Sequence, residues 1–356
     1  MVTTETAASL SLDDLLRVPA DEPERIFAPE QLHRQYGAWL KVWWPQVDRV
    51  DRHAEAAFMH FQALYACALE RSQAGSWQFP GVRSVVDVQG VRHDIEFLVR
   101  RPFELGEVFV GNQSVAFFLD PTYRDLYDRA RSLLGRLPFA DVSMRAMFTD
   151  ALPAVTAAFE IALPAPFAGK LVLVVRKPAE YLLLADVLTH GELDPRHAAW
   201  IVSGLHNLAC WLQFAGIAHG AIAVDTIFVS PVGHSVSLLG GWWYATRYGA
   251  PIAALRAATV AVLPAEVLEK HRGDSRIDPT LIREIAQNLL SGTGANARVR
   301  VQNTLAMWLR LTSGGDARAD YAIWERVRTE VFGPRKFITL DLTAADLYRP
   351  IVPLHS

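Results

Sequence analysis

The chain has 356 residues, of which 51% are hydrophobic and 21% charged, and its formal net charge is −3 at pH 7. This composition is that of an ordinary globular protein, and the length predicts two or three domains with large hydrophobic cores. The weak negative charge, without any basic block, argues against a nucleic acid or an anionic membrane as partner, because both attract concentrated positive charge.

Cysteine usage and the longest apolar stretch predict a cytoplasmic protein. Cys67 and Cys210 lie in apolar segments with helical spacing, and no Cys/His spacing resembles a zinc site. We therefore expect buried free thiols and no metal. Residues 1–12 lack the positively charged region of a signal peptide, and the apolar stretch 198–224 is interrupted by polar residues, which argues against a membrane span.

Residues 1–75 are predicted to be helical. Apolar residues recur every three or four positions over 32–43 and again over 57–69, the spacing of one helix face. Pro45 is expected to stop the first of these helices, and Gly75 to follow the second.

The hydrophobic period changes after residue 76. Apolar runs predict strands over 82–88, 92–99, 107–110, 114–119 and 171–176, with glycine-containing turns between several of them. A helix is predicted over 122–137. The alanine-rich stretch 148–159 fits either a strand or a helix.

The rest of the chain is predicted to be mostly helical. Asp194-Pro195 begins a long helix through Phe214, with proline at the favoured first position, and Asp278-Pro279 begins another through Leu290. The fold class is therefore α+β. We expect a helical module over 1–75, a strand-rich lobe over 76–178, a helical lobe over 179–345 and a tail over 346–356.

The most informative segment follows the first long helix. It contains His219, Ala221 and Thr226, then two strand-like runs, and then Gly240. The segment resembles the catalytic and metal-binding loops of protein kinases. A protein kinase carries an Asp two residues after this His as proton acceptor, and an Asn and a later Asp as magnesium ligands. In this chain Ala221, Thr226 and Gly240 occupy those three positions.

The resemblance extends over residues 91–340 and implies a bilobal fold. Residues 263–266 are similar to the Ala-Pro-Glu segment that closes the activation region of kinases. The resemblance also implies that Asp278 holds the backbone of the loop and that His219 packs beneath the loop. In the small lobe, Phe118 (Leu119 if the register slips) replaces the ATP-pairing lysine, and Arg129 lies near the position of its glutamate partner.

Two further features of the segment have open alternatives. Asp225 is the one carboxylate of the loop and is either a weak metal contact or a solvated side chain. Trp242, Trp243 and Tyr244 are consecutive, so at least one is expected near the surface as an anchor for a protein partner. The alternative is that these three rings fill the emptied nucleotide cleft.

Residues 12–72 resemble a J-domain, the module that stimulates heat-shock ATPase chaperones. Residues 15–21 are similar to its opening phrase, and 31–43 and 54–69 to its second and third helices. The working His-Pro-Asp turn of a J-domain corresponds here to Trp44, Pro45 and Gln46. The resemblance therefore implies a degenerate turn; the alternative is a plain helical hairpin.

These observations predict a non-catalytic pseudokinase scaffold with a J-like module, which binds a protein partner of unidentified kind. We expect no cofactor, and neither ATP nor magnesium. One alternative is a divergent ATP-dependent phosphotransferase that uses non-standard residues such as Asp225. Another is binding of a small molecule in an emptied nucleotide cleft lined by Phe118, Gly240 and Gly241. The degenerate motifs fit a bacterial or a phage protein.

Overall fold

The computed structural model describes residues 11–47, 52–73, 77, 81–165, 167–191, 193–290 and 303–348, with the backbone alone for 42–47. The fold is mixed α+β, with 48% helix, 20% strand and a curled antiparallel sheet. Contacts divide the described chain into two units. The first contains the residues up to Val99 together with Ile161–Ala168, and the second contains Arg100–Glu160 and Gly169–Tyr348.

The first unit has a helical core. Its helices are α1 (Leu12–Leu16), α2 (Leu32–Val47) and α3 (Arg52–Gln73), and α3 packs against both α1 and α2. Leu15, Phe27, Trp39 and Phe61 are almost fully buried in one apolar cluster. Burial of such a cluster is the main stabilising term for helices of this length.

Helix α2 does not stop at Pro45, as the sequence predicted. It continues to Val47, so Trp44, Pro45 and Gln46 lie in its last turn and not in a turn after it. A proline there removes one i→i−4 hydrogen bond and crowds the carbonyl four residues earlier, but its fixed φ near −65° is helical, and the helix ends two residues after it. The side chains of these three residues lie outside the described part of the structure.

Strands β1 (Val82–Asp87) and β2 (Arg92–Glu96) belong with these helices and not with the second unit, whereas the sequence predicted a boundary at residue 75. A group of buried charges accounts for this placement. Arg83 on β1 is 1% exposed, with a guanidinium nitrogen 3.7 Å from Glu22. Arg71 of α3 donates to Glu24 at 2.8 Å. Buried charges are stable only when paired, which fixes the strand against the helices.

The second unit contains most of an antiparallel sheet in which strands follow in the order β3-β4-β5-β7-β6, and the end of β6 from Ile161 belongs to the first unit. Its central strand β5 is buried over five successive positions, which explains the continuous apolar run in the sequence. The bounds are β3 (Val99–Phe103), β4 (Gly106–Val110), β5 (Ser114–Leu119), β6 (Val155–Leu163) and β7 (Leu171–Arg176). The ambiguous stretch 148–159 therefore ends in a strand, and the predicted run 92–99 divides between β2 and β3.

The helices of the second unit pack on a central helix, α7 (Pro195–Ala215). Asp194 caps it by accepting a hydrogen bond from the Arg196 N–H, and Gly216 ends it in the left-handed conformation, at φ 65°. The helices α10 (Ile277–Leu290) and α12 (Ala317–Phe332) pack along α7. Both predicted helix starts are therefore correct to within a residue.

The remaining elements of the second unit are short. They are α4 (Arg124–Leu134), α5 (Val142–Met147), β8 (Leu182–Leu183), α6 (Leu184–His190), β9 (Ile217–Ala218), β10 (Ile227–Ser230), β11 (Ser235–Leu238), a 3-10 helix (Trp242–Tyr244), β12 (Thr246–Arg247), α8 (Ala257–Val262), α9 (Ala265–Lys270), α11 (Asn303–Arg310) and α13 (Ala344–Leu347).

Two expectations about apolar segments can be compared with the described residues. Cys67 and Cys210 are free, as expected, but they are half-buried and not fully buried. Among the helices that the structure describes, none is both long enough and apolar enough to cross a membrane.

Candidate functional site

The loop between β9 and β10 is held by one buried carboxylate. Asp278, near the start of α10, is 2% exposed and accepts hydrogen bonds from the backbone N–H groups of His219 (2.8 Å) and Gly220 (2.9 Å). This is the contact that the kinase resemblance implied. Burial raises the pKa of Asp278 to about 6, although the two N–H donors favour the charged form. The loop backbone is therefore fixed to the helical part of the unit.

His219 is a packing residue. Its side chain is fully buried, and burial lowers its pKa to about 3, so the ring is neutral at pH 7. Nδ1 accepts the Ala221 N–H at 3.3 Å, and Nε2 lies 3.1 Å from the Gly240 carbonyl oxygen, which assigns the proton to Nε2. The ring meets Trp242 edge to face, with the ring centroids 4.9 Å apart.

The three positions that would carry kinase chemistry hold no charge. Ala221 is buried. The Thr226 hydroxyl donates to the Ala221 carbonyl oxygen at 2.8 Å and accepts the Ala223 N–H at 3.0 Å. Thr226 therefore satisfies the loop backbone instead of presenting a ligand. Gly240 donates its N–H to the Thr226 carbonyl at 3.2 Å. These contacts stabilise the loop and leave no acid or base in it at those positions.

Gly240 has little room for a side chain. A Cβ added there would lie 3.2 Å from the Thr226 Cα and 3.5 Å from the Phe117 ring. A Cβ on the next residue, Gly241, would lie 2.8 Å from the His219 ring. An aspartate at position 240 would therefore press on the Thr226 backbone and lie against the Phe117 ring.

Aromatic rings fill the space beside Gly240. We call Phe103, Phe117 and Trp243 the aromatic cluster: the Trp243 centroid lies 5.2 Å from that of Phe103 and 4.9 Å from that of Phe117. Phe117 and Trp243 are each 4% exposed. The cluster brings β3 and β5 into contact with the 3-10 helix.

The residue of β5 that faces Gly240 is Phe117, whereas the sequence assigned Phe118 to the lysine position. Successive strand residues point to opposite faces, and Phe118 packs on the other face against Phe109, with the centroids 4.5 Å apart. The neighbouring assignment differs as well. Arg129 of α4 is exposed, while Tyr127 is buried and donates its hydroxyl to the Val172 carbonyl at 3.0 Å. Phe118 and Arg129 therefore do not face each other.

Trp242, Trp243 and Tyr244 are all buried, at 1%, 4% and 7% exposure, so the expectation that at least one reaches the surface is wrong. A 3-10 helix directs three successive side chains to three different sides, and here each side is covered. Trp242 donates its indole N–H to the Leu238 carbonyl at 2.8 Å, and Trp243 belongs to the aromatic cluster. The Tyr244 hydroxyl donates to Glu104 at 2.6 Å. The alternative, that these rings pack inside, agrees with the structure.

Asp225 is paired with an arginine that the sequence analysis missed. Both oxygens of its carboxylate accept hydrogen bonds from Arg256, at 2.8 and 2.7 Å. Arg256 also donates to Glu104 at 2.8 Å, and Glu104 in turn accepts from Tyr244. We call these four residues the ion-pair chain. Burial and the hydrogen bond to Glu104 raise the pKa of the Tyr244 hydroxyl.

No residue type or spacing could have indicated the ion-pair chain. Arg256 lies 31 residues from Asp225 and 152 residues from Glu104. Only the fold brings the three together. In a bidentate arginine–carboxylate pair both carboxylate oxygens accept hydrogen bonds. Both oxygens of Asp225 are therefore occupied by Arg256.

Neither a metal centre nor a family is identified. Among the residues that the structure describes, no group of three or more His, Cys, Asp or Glu side chains could hold a metal ion. A scan of the sequence against protein-family models gave no match, and no curated protein matched it.

Proposed function

We propose that this chain is a non-catalytic, pseudokinase-like protein that acts as a scaffold or adaptor by binding another protein. The proposal includes the bilobal kinase-like arrangement. Its support is the loop braced by Asp278, followed by a β10–β11 hairpin that leads to Gly240. Along this segment lie Ala221, Thr226 and Gly240, the three positions where a kinase would carry its catalytic and metal-binding side chains.

The observation that carries the proposal is the crowding at Gly240. Phosphoryl transfer depends on positioning and on charges that neutralise the phosphates, and a positioned general base adds about 10²–10⁴-fold. Here the space beside Gly240 holds the aromatic cluster, and a Cβ at Gly240 would already be crowded by the Thr226 Cα at 3.2 Å. Several contributions are missing together, so we expect no measurable phosphoryl transfer.

The divergent phosphotransferase depends on Asp225, and the ion-pair chain argues against it. To hold magnesium, Asp225 would have to leave Arg256, whose side chain is 12% exposed and makes three hydrogen bonds to carboxylates. Small-molecule binding in the same cleft is disfavoured as well, because Phe118 faces away from Gly240 and Gly241.

The J-like module is the second part of the proposal. The packed helices α2 and α3 support it, and the sequence at 44–46 lacks the imidazole and the carboxylate of a J-domain turn. We therefore propose that this module contributes a binding surface without stimulating a chaperone ATPase.

Transfer of labelled phosphate from ATP tests the catalytic part of the proposal. The purified chain, with general protein substrates and magnesium or manganese, should give no more transfer than a sample without protein. Transfer that Asp225→Asn abolishes, and that Asp128→Asn does not, would contradict the proposal and favour the phosphotransferase. Asp128 is a suitable control because it forms only a 3.9 Å ion pair with Arg131 on the surface of α4.

A further inference from the structure

A pocket of about 500 Å³ lies on the second unit, away from the loop that carries His219. Helix α7 provides one wall, the turn between β10 and β11 a second, and the segment after α12 a third. Its lining includes Trp200, Gly204, Asn207, His234, Lys336 and Phe337. This volume is within the range of small-molecule sites, which is about 300–1,000 Å³.

Three parallel rings form one side of the pocket, and we call Trp200, His234 and Phe337 the ring stack. The His234 ring lies 4.8 Å from Trp200 and 4.2 Å from Phe337, with interplanar angles of 4° and 14°. The Trp200 indole N–H donates to His197 at 3.1 Å, which fixes the plane of the stack. Phe337 is 63% exposed, so the stack ends in an open aromatic face.

The pocket is cationic. Its lining contains Arg196, Arg328, Arg335 and Lys336, and no carboxylate among the described lining residues. Arg196 pairs with Asp194, and Arg328 and Arg335 share Glu325. Lys336 has no ion-pair partner among the described residues. Four cations with two neighbouring carboxylates leave an excess of two positive charges.

A neutral side chain with free hydrogen-bonding groups lines the same pocket as Lys336. The side chain of Asn207 is exposed and forms no hydrogen bond with another described residue. On the same helix, Gly204 keeps the floor of the pocket close to β11, because a Cβ there would lie 2.6 Å from a methyl carbon of Val236. The pocket therefore combines a flat apolar face, unpaired donors and positive charge.

We propose that this pocket binds a small planar aromatic anion, such as an aromatic phosphate or carboxylate. The ligand ring would extend the ring stack, and its anionic group would meet Lys336 and the neighbouring arginines. Aromatic stacking and charge-assisted hydrogen bonds supply the two attractions. This site is independent of the scaffold function and lies apart from the aromatic cluster at Gly240.

Calorimetric titration of the full chain tests the site with three probes: 1-naphthyl phosphate, neutral 1-naphthol and inorganic phosphate. We expect saturable binding of 1-naphthyl phosphate, and at least about tenfold weaker binding of each of the other two, since each lacks one of the two attractions. Equal binding of 1-naphthol would mean an apolar patch without anion recognition and would overturn the proposal. Absence of binding at millimolar 1-naphthyl phosphate would overturn it as well.

Variants locate the binding. Lys336→Gln and Phe337→Leu should each weaken 1-naphthyl phosphate, the first by about tenfold for the loss of one charge-assisted hydrogen bond. Both side chains are exposed, so we expect both variants to fold. Lys270→Gln is the control, because Lys270 is an exposed lysine outside the pocket lining. Binding that survives both pocket variants unchanged would contradict the assigned site.

Discussion

The aromatic cluster at Gly240 and the ring stack at His234 use the same kind of side chain in opposite ways. In the aromatic cluster, Trp243 and Phe117 are almost completely buried and pack against each other beside Gly240. In the ring stack, Phe337 is 63% exposed and borders a cationic pocket. Rings that bury each other stabilise the fold, whereas rings with an open face offer a binding surface.

The two regions also differ in which features they keep: the loop keeps its backbone contacts, and the pocket carries the charged side chains. The backbone contacts of the loop are intact, since Asp278 accepts two N–H groups and His219 packs on Trp242. In the same loop Ala221 and Thr226 carry no charge, and the one carboxylate, Asp225, is paired with Arg256. Positive charge instead lies at the pocket beside the ring stack, where no loop motif drew attention to it.

The largest effect should come from removing the brace of the loop. Asp278→Ala leaves two buried N–H groups, of His219 and Gly220, without acceptors, and each such group costs about 1–3 kcal/mol. We expect a loss of about 4 kcal/mol in the free energy of unfolding, measured with urea. Glu269→Ala, at an exposed position, is the control and should change it by less than about 0.5 kcal/mol. Equal stability of the two variants would show that the brace is dispensable.

Gly240→Asp asks whether a carboxylate can be restored in the filled space. Crowding against Thr226 and Phe117, together with a buried charge, should cost about 3 kcal/mol of unfolding free energy. Adding magnesium should not restore the unfolding free energy of Gly240→Asp. The matched control is Gly314→Asp, since a Cβ at Gly314 meets nothing within 4 Å. Stabilisation of Gly240→Asp by magnesium would mean that the space beside the aromatic cluster can open.

The neutral, buried His219 predicts a pH dependence. The pKa of His219 is about 3 in the folded chain, below the ordinary value of 6.5, so its contribution is present above pH 6.5 and is lost as the pH falls towards 3. Between pH 7 and 5 this amounts to about 2 kcal/mol.

His219→Gln should remove that share of the acid sensitivity. Glutamine keeps an N–H donor for the Gly240 carbonyl but does not titrate. Asp278 acts in the opposite direction, because its pKa, raised to about 6, makes the folded state gain stability as the pH falls from 6 towards 3.8. The contribution of Asp278 to the pH dependence is the same in wild type and variant, so it cancels in the comparison. Parallel unfolding profiles for wild type and variant at pH 7 and pH 5 would contradict this account.

The smallest effect is expected in the ion-pair chain. Asp225→Asn weakens the pair with Arg256, and since the Asp225 side chain is 40% exposed, solvent screening limits the loss to about 1 kcal/mol or less. Asp128→Asn, at a looser surface pair, should have no measurable effect. A loss of more than about 3 kcal/mol would show that Asp225 organises the loop.

Local signals in the sequence predicted the helix starts well. Asp194-Pro195 carries its own capping and proline signals, and α7 begins there. Asp278-Pro279 also marks a helix start, but α10 begins one residue earlier and the Asp278 carboxylate binds the loop instead of capping the helix. The facing residue of β5 was missed by one position because Val115–Leu119 is apolar throughout. A run without alternation does not show which of Phe117 and Phe118 faces Gly240.

Contacts between distant segments account for the rest. The burial of Trp242, Trp243 and Tyr244 depends on elements on three sides of a 3-10 helix, which no local pattern reports. The ring stack likewise joins residues 200, 234 and 337. Arg256 and Glu104 become visible as partners only once the chain has folded.

Thermal unfolding of the full chain against rising ATP, with and without magnesium, tests the central claim most directly. A ligand that binds only the native state, at about 100 times its dissociation constant, adds about 2.7 kcal/mol of stability. Because the aromatic cluster fills the space beside Gly240 and no carboxylate is available there, the account predicts no magnesium-dependent change in Tm. A saturable rise in Tm that requires both ATP and magnesium would contradict it, and would place the phosphotransferase ahead of the scaffold.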